Sequence, residues 1–119
     1  MTPKLTGIAA DYVDAVNAHD TDAIVSLFAP DAYVNDARRE IRGLDSIQRW
    51  VTKEITGANV TMEVLETLRH HDETIVRSRY EGTFDRAGLP DEIVLTDYIR
   101  VHAAKIVSLV VIRNQPSPY

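Results

Sequence analysis

No cysteine occurs in this sequence, which excludes disulfides, thiol chemistry and cysteine-ligated zinc. Basic residues are scarce beside acidic ones, 13 Lys and Arg against 18 Asp and Glu, for a formal net charge of −5. Nucleic acid is therefore not an expected partner, because phosphate binding wants a basic patch. The two short clusters Arg38-Arg39 and Arg77/Arg79 are too small and too interleaved with acid to reverse that balance. Long apolar runs are missing too. None approaches the roughly 20 residues that span a bilayer, so a membrane is not an expected partner either. Met1-Thr2-Pro3-Lys4 does not lead into an uninterrupted apolar stretch, so no secretory leader is expected and the cytoplasm is the expected compartment. None of the five glycines builds a phosphate-binding loop.

What is present suits one globular core: 119 residues, 45% of them hydrophobic. Leu5, Ile8, Ala9, Tyr12, Val13 and Val16 recur at helical spacing and predict an amphipathic helix with Asp11, Asp14 and Asn17 on its wet side. His19-Asp20-Thr21 is a break with a good cap. Ala23, Ile24, Leu27 and Phe28 then predict a second helix stopped by Pro30. A short strand is expected over 32–36. Gly43 introduces a third helix with Asp45 or Ser46 as its cap, Ile47, Trp50, Val51 and Ile55 on one face, and Gly57 at its end.

Beyond Gly57 the hydrophobic period changes from 3.6 to 2. Val60, Met62 and Val64 alternate with polar residues in one long strand, broken at His70-His71-Asp72-Glu73. Further strands are expected over 75–84, 93–101 and 106–113, with a breaker-rich loop at 85–90 and a tight turn near His102-Ala103-Ala104. Helices first and hairpin-linked strands afterwards predict an α+β layered domain. Strands this long tend to curl over a helix layer and leave a cavity on the concave side. The expected domain covers 1–114, with 115–119 a loose tail.

Three polar residues break the pattern. Asp97 shares one strand face with Ile93, Leu95, Ile99 and Val101, where an ionised carboxylate must pair or stay protonated. Backbone amides or an arginine would satisfy it without any function. Tyr12 stands on the apolar stripe of the first helix, a position equally suited to core packing. Asp36 closes the first strand between Asn35 and Ala37-Arg38-Arg39, where a turn residue is also common.

Tyr12 through Asp20, then 24–36, resembles the N-terminal half of bacterial ketosteroid isomerases, within the larger superfamily of nuclear transport factor two-like and SnoaL-like domains. Thr96-Asp97-Tyr98-Ile99-Arg100 followed by Lys105 to Leu109 resembles the last two strands of the same enzymes. With Gly43 and the third helix, the similarity runs along nearly the whole chain. It implies a cone-shaped barrel, three helices packed on a curved antiparallel sheet around a pocket. It also implies a homodimer. In that family a helix-one tyrosine, an aspartate ending the first strand and an aspartate in the penultimate strand carry the chemistry, and Tyr12, Asp36 and Asp97 fall on those positions. The implied roles are Asp36 as base, shuttling a proton between carbons beside a carbonyl, with Tyr12 and a protonated Asp97 as donors to the oxyanion. The pattern departs after the base: Arg38-Arg39-Glu40 replaces a proline and mostly uncharged residues, and an arginine beside Asp36 would weaken it as a base.

The leading expectation is thus a cofactor-free isomerase of the ketosteroid-isomerase type acting on a small apolar carbonyl compound. Two other readings keep the same pocket: a non-catalytic small-ligand-binding domain, and a SnoaL-like polyketide cyclase or hydratase. Phe28, Trp50, Leu95, Ile99, Leu109 and Arg113 are expected to line the pocket. The partly apolar outer face with Val94, Tyr98 and Val110 is expected to pair with a second copy. No metal site is expected: His70 and His71 are adjacent on a strand, where neighbours point to opposite faces. Ser46, Ser78 and Ser108 have no evident histidine-carboxylate partner for acyl transfer. The strand over 75–84 offers Arg77, Ser78, Arg79 and Glu81 but no aspartate for an epoxide hydrolase.

Overall fold

The computed structural model describes residues 5–84 and 92–113; the expected loop at 85–90 and the tail at 115–119 lie outside the described residues. Helix α1 (Gly7–Asn17) buries Ala9, Tyr12, Val13, Ala15 and Val16, as the 3.6-residue spacing requires. Its last residue, Asn17, does more than face water. The Asn17 Nδ2 donates to the Met62 carbonyl at 3.0 Å, and its Oδ1 accepts from the Met62 amide at 2.7 Å. Helix α2 (Thr21–Ser26) starts as expected, with Asp20 Oδ1 accepting from the Ala23 amide at 3.1 Å.

The chain then departs from the expected boundaries. Strand β1 (Phe28–Asp36) begins four residues early and runs through Pro30. Proline is tolerated there because the ladder to the neighbouring strand is interrupted between Phe28 and Tyr33. A short strand not read from the sequence, β2 (Arg39–Arg42), folds back on β1 through Ala37-Arg38, both at positive φ. Helix α3 (Leu44–Trp50) is capped by Gly43, at φ +82, and receives no side-chain cap from Asp45 or Ser46. It widens into a π-helical turn over Val51–Thr56. Gly57 follows with an ordinary φ of −66. Glycine is needed there for space, since a β-carbon would collide with the Thr52 and Lys53 carbonyls.

Four long strands complete the fold: β3 (Thr61–His70), β4 (Glu73–Glu81), β5 (Ile93–His102) and β6 (Lys105–Arg113). The sheet order is β2-β1-β6-β5-β4-β3. Every junction is antiparallel except β1–β6, which is parallel, so the curved, unclosed sheet is mixed. Register shifts interrupt β1, β3 and the β5–β6 ladder, and such bulges bend strands and increase their twist. The edge strand β3 is covered where Asn17 takes both backbone groups of Met62. Between the helices and the sheet lies one apolar core that includes Ile24, Val34, Ile47, Val76, Ile106 and Leu109. None of the described helices is long and apolar enough to cross a membrane.

Candidate functional site

One end of the sheet does not close on the helices. Here the last residues of β1, β4 and β6, the first of β5, helix α1 and the π-helical turn surround a cavity of about 670 Å³. Trp50, Ile55, Val60, Ile93, Leu95 and Val111 make most of its apolar wall, and Tyr12, Asp36 and Tyr80 its polar one. Arg39, Lys53, Glu54 and Arg113 ring the mouth.

Strand register explains why the two aspartates approach each other. Asp36 on β1 is level with Val111 on β6, and Val111 is level with Asp97 on β5. Residues level across a sheet share a face, and strands are about 4.8 Å apart. The two aspartate backbones are therefore about 10 Å apart on the concave side, with Val111 between them. Tyr12 comes from the helix layer, 1% exposed and packed edge-on against Phe28 at 6.2 Å between ring centres. Burial raises its phenol well above the usual value, and the charges of Asp97 and then Asp36 push in the same direction. Of the three residues singled out in the sequence, Tyr12 and Asp36 thus line one end of the cavity and Asp97 lies level with Asp36 behind its wall.

Their individual surroundings differ from expectation. Asp97 does not line the cavity. It is fully buried behind the wall, where its Oδ1 accepts a hydrogen bond of 2.7 Å from the Tyr80 hydroxyl and its Oδ2 has no partner among the described residues. Burial pushes its carboxyl up to about 7; the Tyr80 bond opposes that and the charge of Asp36 adds to it. Among the described residues, neither backbone amides nor an arginine satisfies it. Tyr80, which does line the cavity, connects Asp97 to it. Burial and the neighbouring carboxylate raise the Tyr80 phenol as well.

Asp36 lines the cavity with its side chain 22% exposed. Its Oδ2 accepts from Arg39 Nη2 at 2.7 Å and from Trp50 Nε1 at 3.0 Å. Both bonds fall on one oxygen, and among the described residues Oδ1 has no such bond and is the atom available to a ligand. Arg39 is held in turn by Glu54 at 2.6 and 2.8 Å, and that bond is the main cause of its raised pKa.

Of the other expected lining residues, Trp50, Leu95 and Arg113 do face the cavity. Phe28, Ile99 and Leu109 do not: they are buried in the core. Phe28 backs Tyr12 from the first residue of β1, while Ile99 and Leu109 face each other one step deeper than Asp97 and Val111. Tyr80 and the indole donor of Trp50 were not singled out from the sequence. The signal for Tyr80 was its place with Val76 and Ser78 on the buried face of β4, alternating with Arg77, Arg79 and Glu81. Among the described residues, no group of three His, Asp or Glu side chains is placed to hold a metal ion.

Chemically, the cavity offers a carboxylate oxygen, two phenols and a buried carboxyl behind one of them, in apolar surroundings. That set can move a proton and hold a negative oxygen. Residues 9–109 match the SnoaL-like domain family. Among solved structures, a protein from Sinorhizobium meliloti provisionally named a polyketide cyclase is 31% identical, with 90% of this chain and 94% of that one covered and a TM-score of 0.79. A provisionally named ketosteroid isomerase from Kribbella flavida shares the fold at 15% identity, covering 94% of this chain and 78% of that one, with a TM-score of 0.75. A Mycobacterium tuberculosis protein in complex with estradiol-17β-hemisuccinate does so at 20% identity, covering 87% of this chain and 88% of that one, with a TM-score of 0.76. No curated protein matches the sequence.

Proposed function

Because this chain belongs to the SnoaL-like domain family, we propose that its cavity removes a proton beside the carbonyl of a small, largely apolar molecule and holds the resulting enolate. The observation that carries this reading is the Tyr80–Asp97 pair. A carboxyl group buried with one oxygen unpartnered costs stability. It gains a purpose if its proton state controls a hydroxyl that faces a ligand. With Asp97 ionised, Tyr80 must give its only proton to Oδ1. With Asp97 protonated, the carboxyl donates to the Tyr80 oxygen, and the Tyr80 proton turns to the cavity.

In the proposed reaction the substrate carbonyl oxygen sits against Tyr12 and Tyr80. Asp36 Oδ1 takes the proton from the adjacent carbon, and the electron pair of that C–H bond moves into the enolate. The two phenols donate to the enolate oxygen. Trp50 and Arg39 fix the Asp36 carboxylate through Oδ2. Returning the proton to a different carbon gives allylic isomerisation of the ketosteroid type. Attack of the enolate carbon on a second carbonyl of the same molecule breaks that C=O π bond, the new alkoxide takes the proton back from Asp36, and cyclisation results, the outcome that the name of the Sinorhizobium meliloti relative favours. No step calls for a cofactor. The Asp36–Arg39 ion pair favours a second reading, a binding domain in which Asp36 is only a structural acid.

The two separate in heavy water. Uptake of deuterium beside the carbonyl of a β,γ-unsaturated ketone, followed by proton NMR, reports the first step whatever comes after it. Asp36→Asn is expected to slow it by about 10²–10⁴-fold, the usual worth of a positioned base. Equal rates in both proteins would leave binding as the better account. The proposed assembly is a homodimer through the outer sheet face, where Val94, Tyr98 and Val110 are half-buried.

A further inference from the structure

The charges around the mouth do not cancel. Three cations, Arg39, Lys53 and Arg113, line the cavity with two acids, Asp36 and Glu54. Both acids are already bonded to Arg39. Lys53 and Arg113 have no acidic partner among the described residues, although the chain as a whole carries a net charge of −5. The arginines of the outer sheet face are treated differently, since Arg77 and Arg79 are each paired with glutamates.

Placement adds to the charge argument. Arg113 is level with Leu95, a cavity-lining residue, on the concave face of the sheet. It stands two residues beyond Val111, which is level with both Asp36 and Asp97. Two residues of strand are about 7 Å, which puts Arg113, exposed and lining the cavity, nearer its mouth than Val111. Lys53, exposed on the π-helical turn, borders the same cavity and also a shallower hollow beside Asp45 and Arg49. An apolar cavity with an oxygen-holding end and two unpaired cations at the other end matches a molecule with the reverse pattern.

We propose that the ligand of this cavity is an apolar carbonyl compound that also carries a carboxylate, held by Arg113 and Lys53 about 7–10 Å from the carbonyl oxygen. The proposal rests on the reading that Tyr12, Tyr80 and Asp36 form the reacting end, and names the substrate class that end receives. Isomerisation and cyclisation are both compatible with it.

A matched pair of probes tests it. 6-Hydroxy-2-naphthoic acid carries a phenol at one end of a flat apolar body and a carboxylate at the other; 6-hydroxy-2-naphthamide is its neutral counterpart. Dissociation constants for both are measured by naphthol fluorescence in the wild-type protein and in the double variant Lys53→Gln/Arg113→Gln. The wild type is expected to prefer the acid about tenfold, and that preference should fall as salt is added. In the double variant it should vanish while the amide binds as before. Equal binding of acid and amide by the wild type, or a preference that survives in the double variant, overturns the proposal and leaves the reacting end intact. Failure of both probes to bind the folded wild type overturns the reading of the cavity itself.

Discussion

At the scale of single residues, Asp97 sets the terms. In the folded chain its carboxyl is pushed up to about 7 by burial, against about 3.9 for an aspartate in an unfolded chain. Between those values folding takes up a proton, so stability falls as pH rises from about 4 through about 7 and is level above that. Asp97→Asn keeps the shape without the charge. Denaturant unfolding should show the wild type losing on the order of 2–3 kcal/mol between pH 5 and pH 8 that the variant retains. The same loss in both proteins would mean that Asp97 is not the group responsible. Tyr80→Phe should act the other way: it leaves both carboxyl oxygens of Asp97 buried and, among the described residues, unpaired, costing about 1–3 kcal/mol by thermal or denaturant unfolding. No change would show that the Tyr80–Asp97 bond carries no net stability. Asp97 was legible in the sequence because a charge on an apolar strand face is conspicuous. Tyr80 was not, because a tyrosine on a buried face reads as ordinary packing until its hydroxyl is located.

At the scale of elements, the hairpins are built on turns with poor local chemistry. His102 is level with Lys105, so Ala103 and Ala104 alone make the turn, with φ of +51 and +62. Alanine pays a steric penalty in that region that asparagine and glycine largely avoid. Replacing Ala103-Ala104 with Asn-Gly should raise stability by about 1 kcal/mol, read as a higher Tm, with the cavity and its ligand binding unchanged. An unchanged or lower Tm would contradict the turn assignment. Helix α1 and the four long strands could be read directly, since each repeats its period over about ten residues. The start of β1 and all of β2 could not. Pro30 reads as a stop, and only the broken ladder around it makes room for it in a strand. Strand β2, Arg-Glu-Ile-Arg at the sheet edge, buries too little to show an alternating pattern. The π-helical turn was hidden for a related reason: its apolar residues Val51 and Ile55 fit an ordinary helix equally well.

At the scale of the whole molecule, the pocketed α+β architecture followed from the order of elements, and the mixed sheet did not. The parallel β1–β6 pairing joins residues some 75 apart in the chain, and no local pattern announces it. That pairing brings Asp36 level with Asp97, so the site depends on the least local contact in the fold. The outer face of the same sheet leads to an assembly prediction: Val94, Tyr98 and Val110 should sit in a dimer interface, with Tyr98 directly opposite Val110. Sedimentation should return a dimer for the wild type and a monomer for Tyr98→Glu. A monomeric wild type would rule the interface out. The central claim, that Asp97 governs a hydroxyl which holds a negative oxygen, is open to one direct measurement. A dinitrophenolate that stays ionised from pH 6 to pH 9 is titrated into the wild type and Asp97→Asn at both ends of that range. Asp97, facing Tyr12, Tyr80 and Asp36, loses its proton through about pH 7, so the wild type should bind about tenfold more weakly at pH 9 than at pH 6. Asp97→Asn should bind with similar affinity at both. Equal affinity of the wild type at the two pH values, or the same weakening in the variant, would contradict the account.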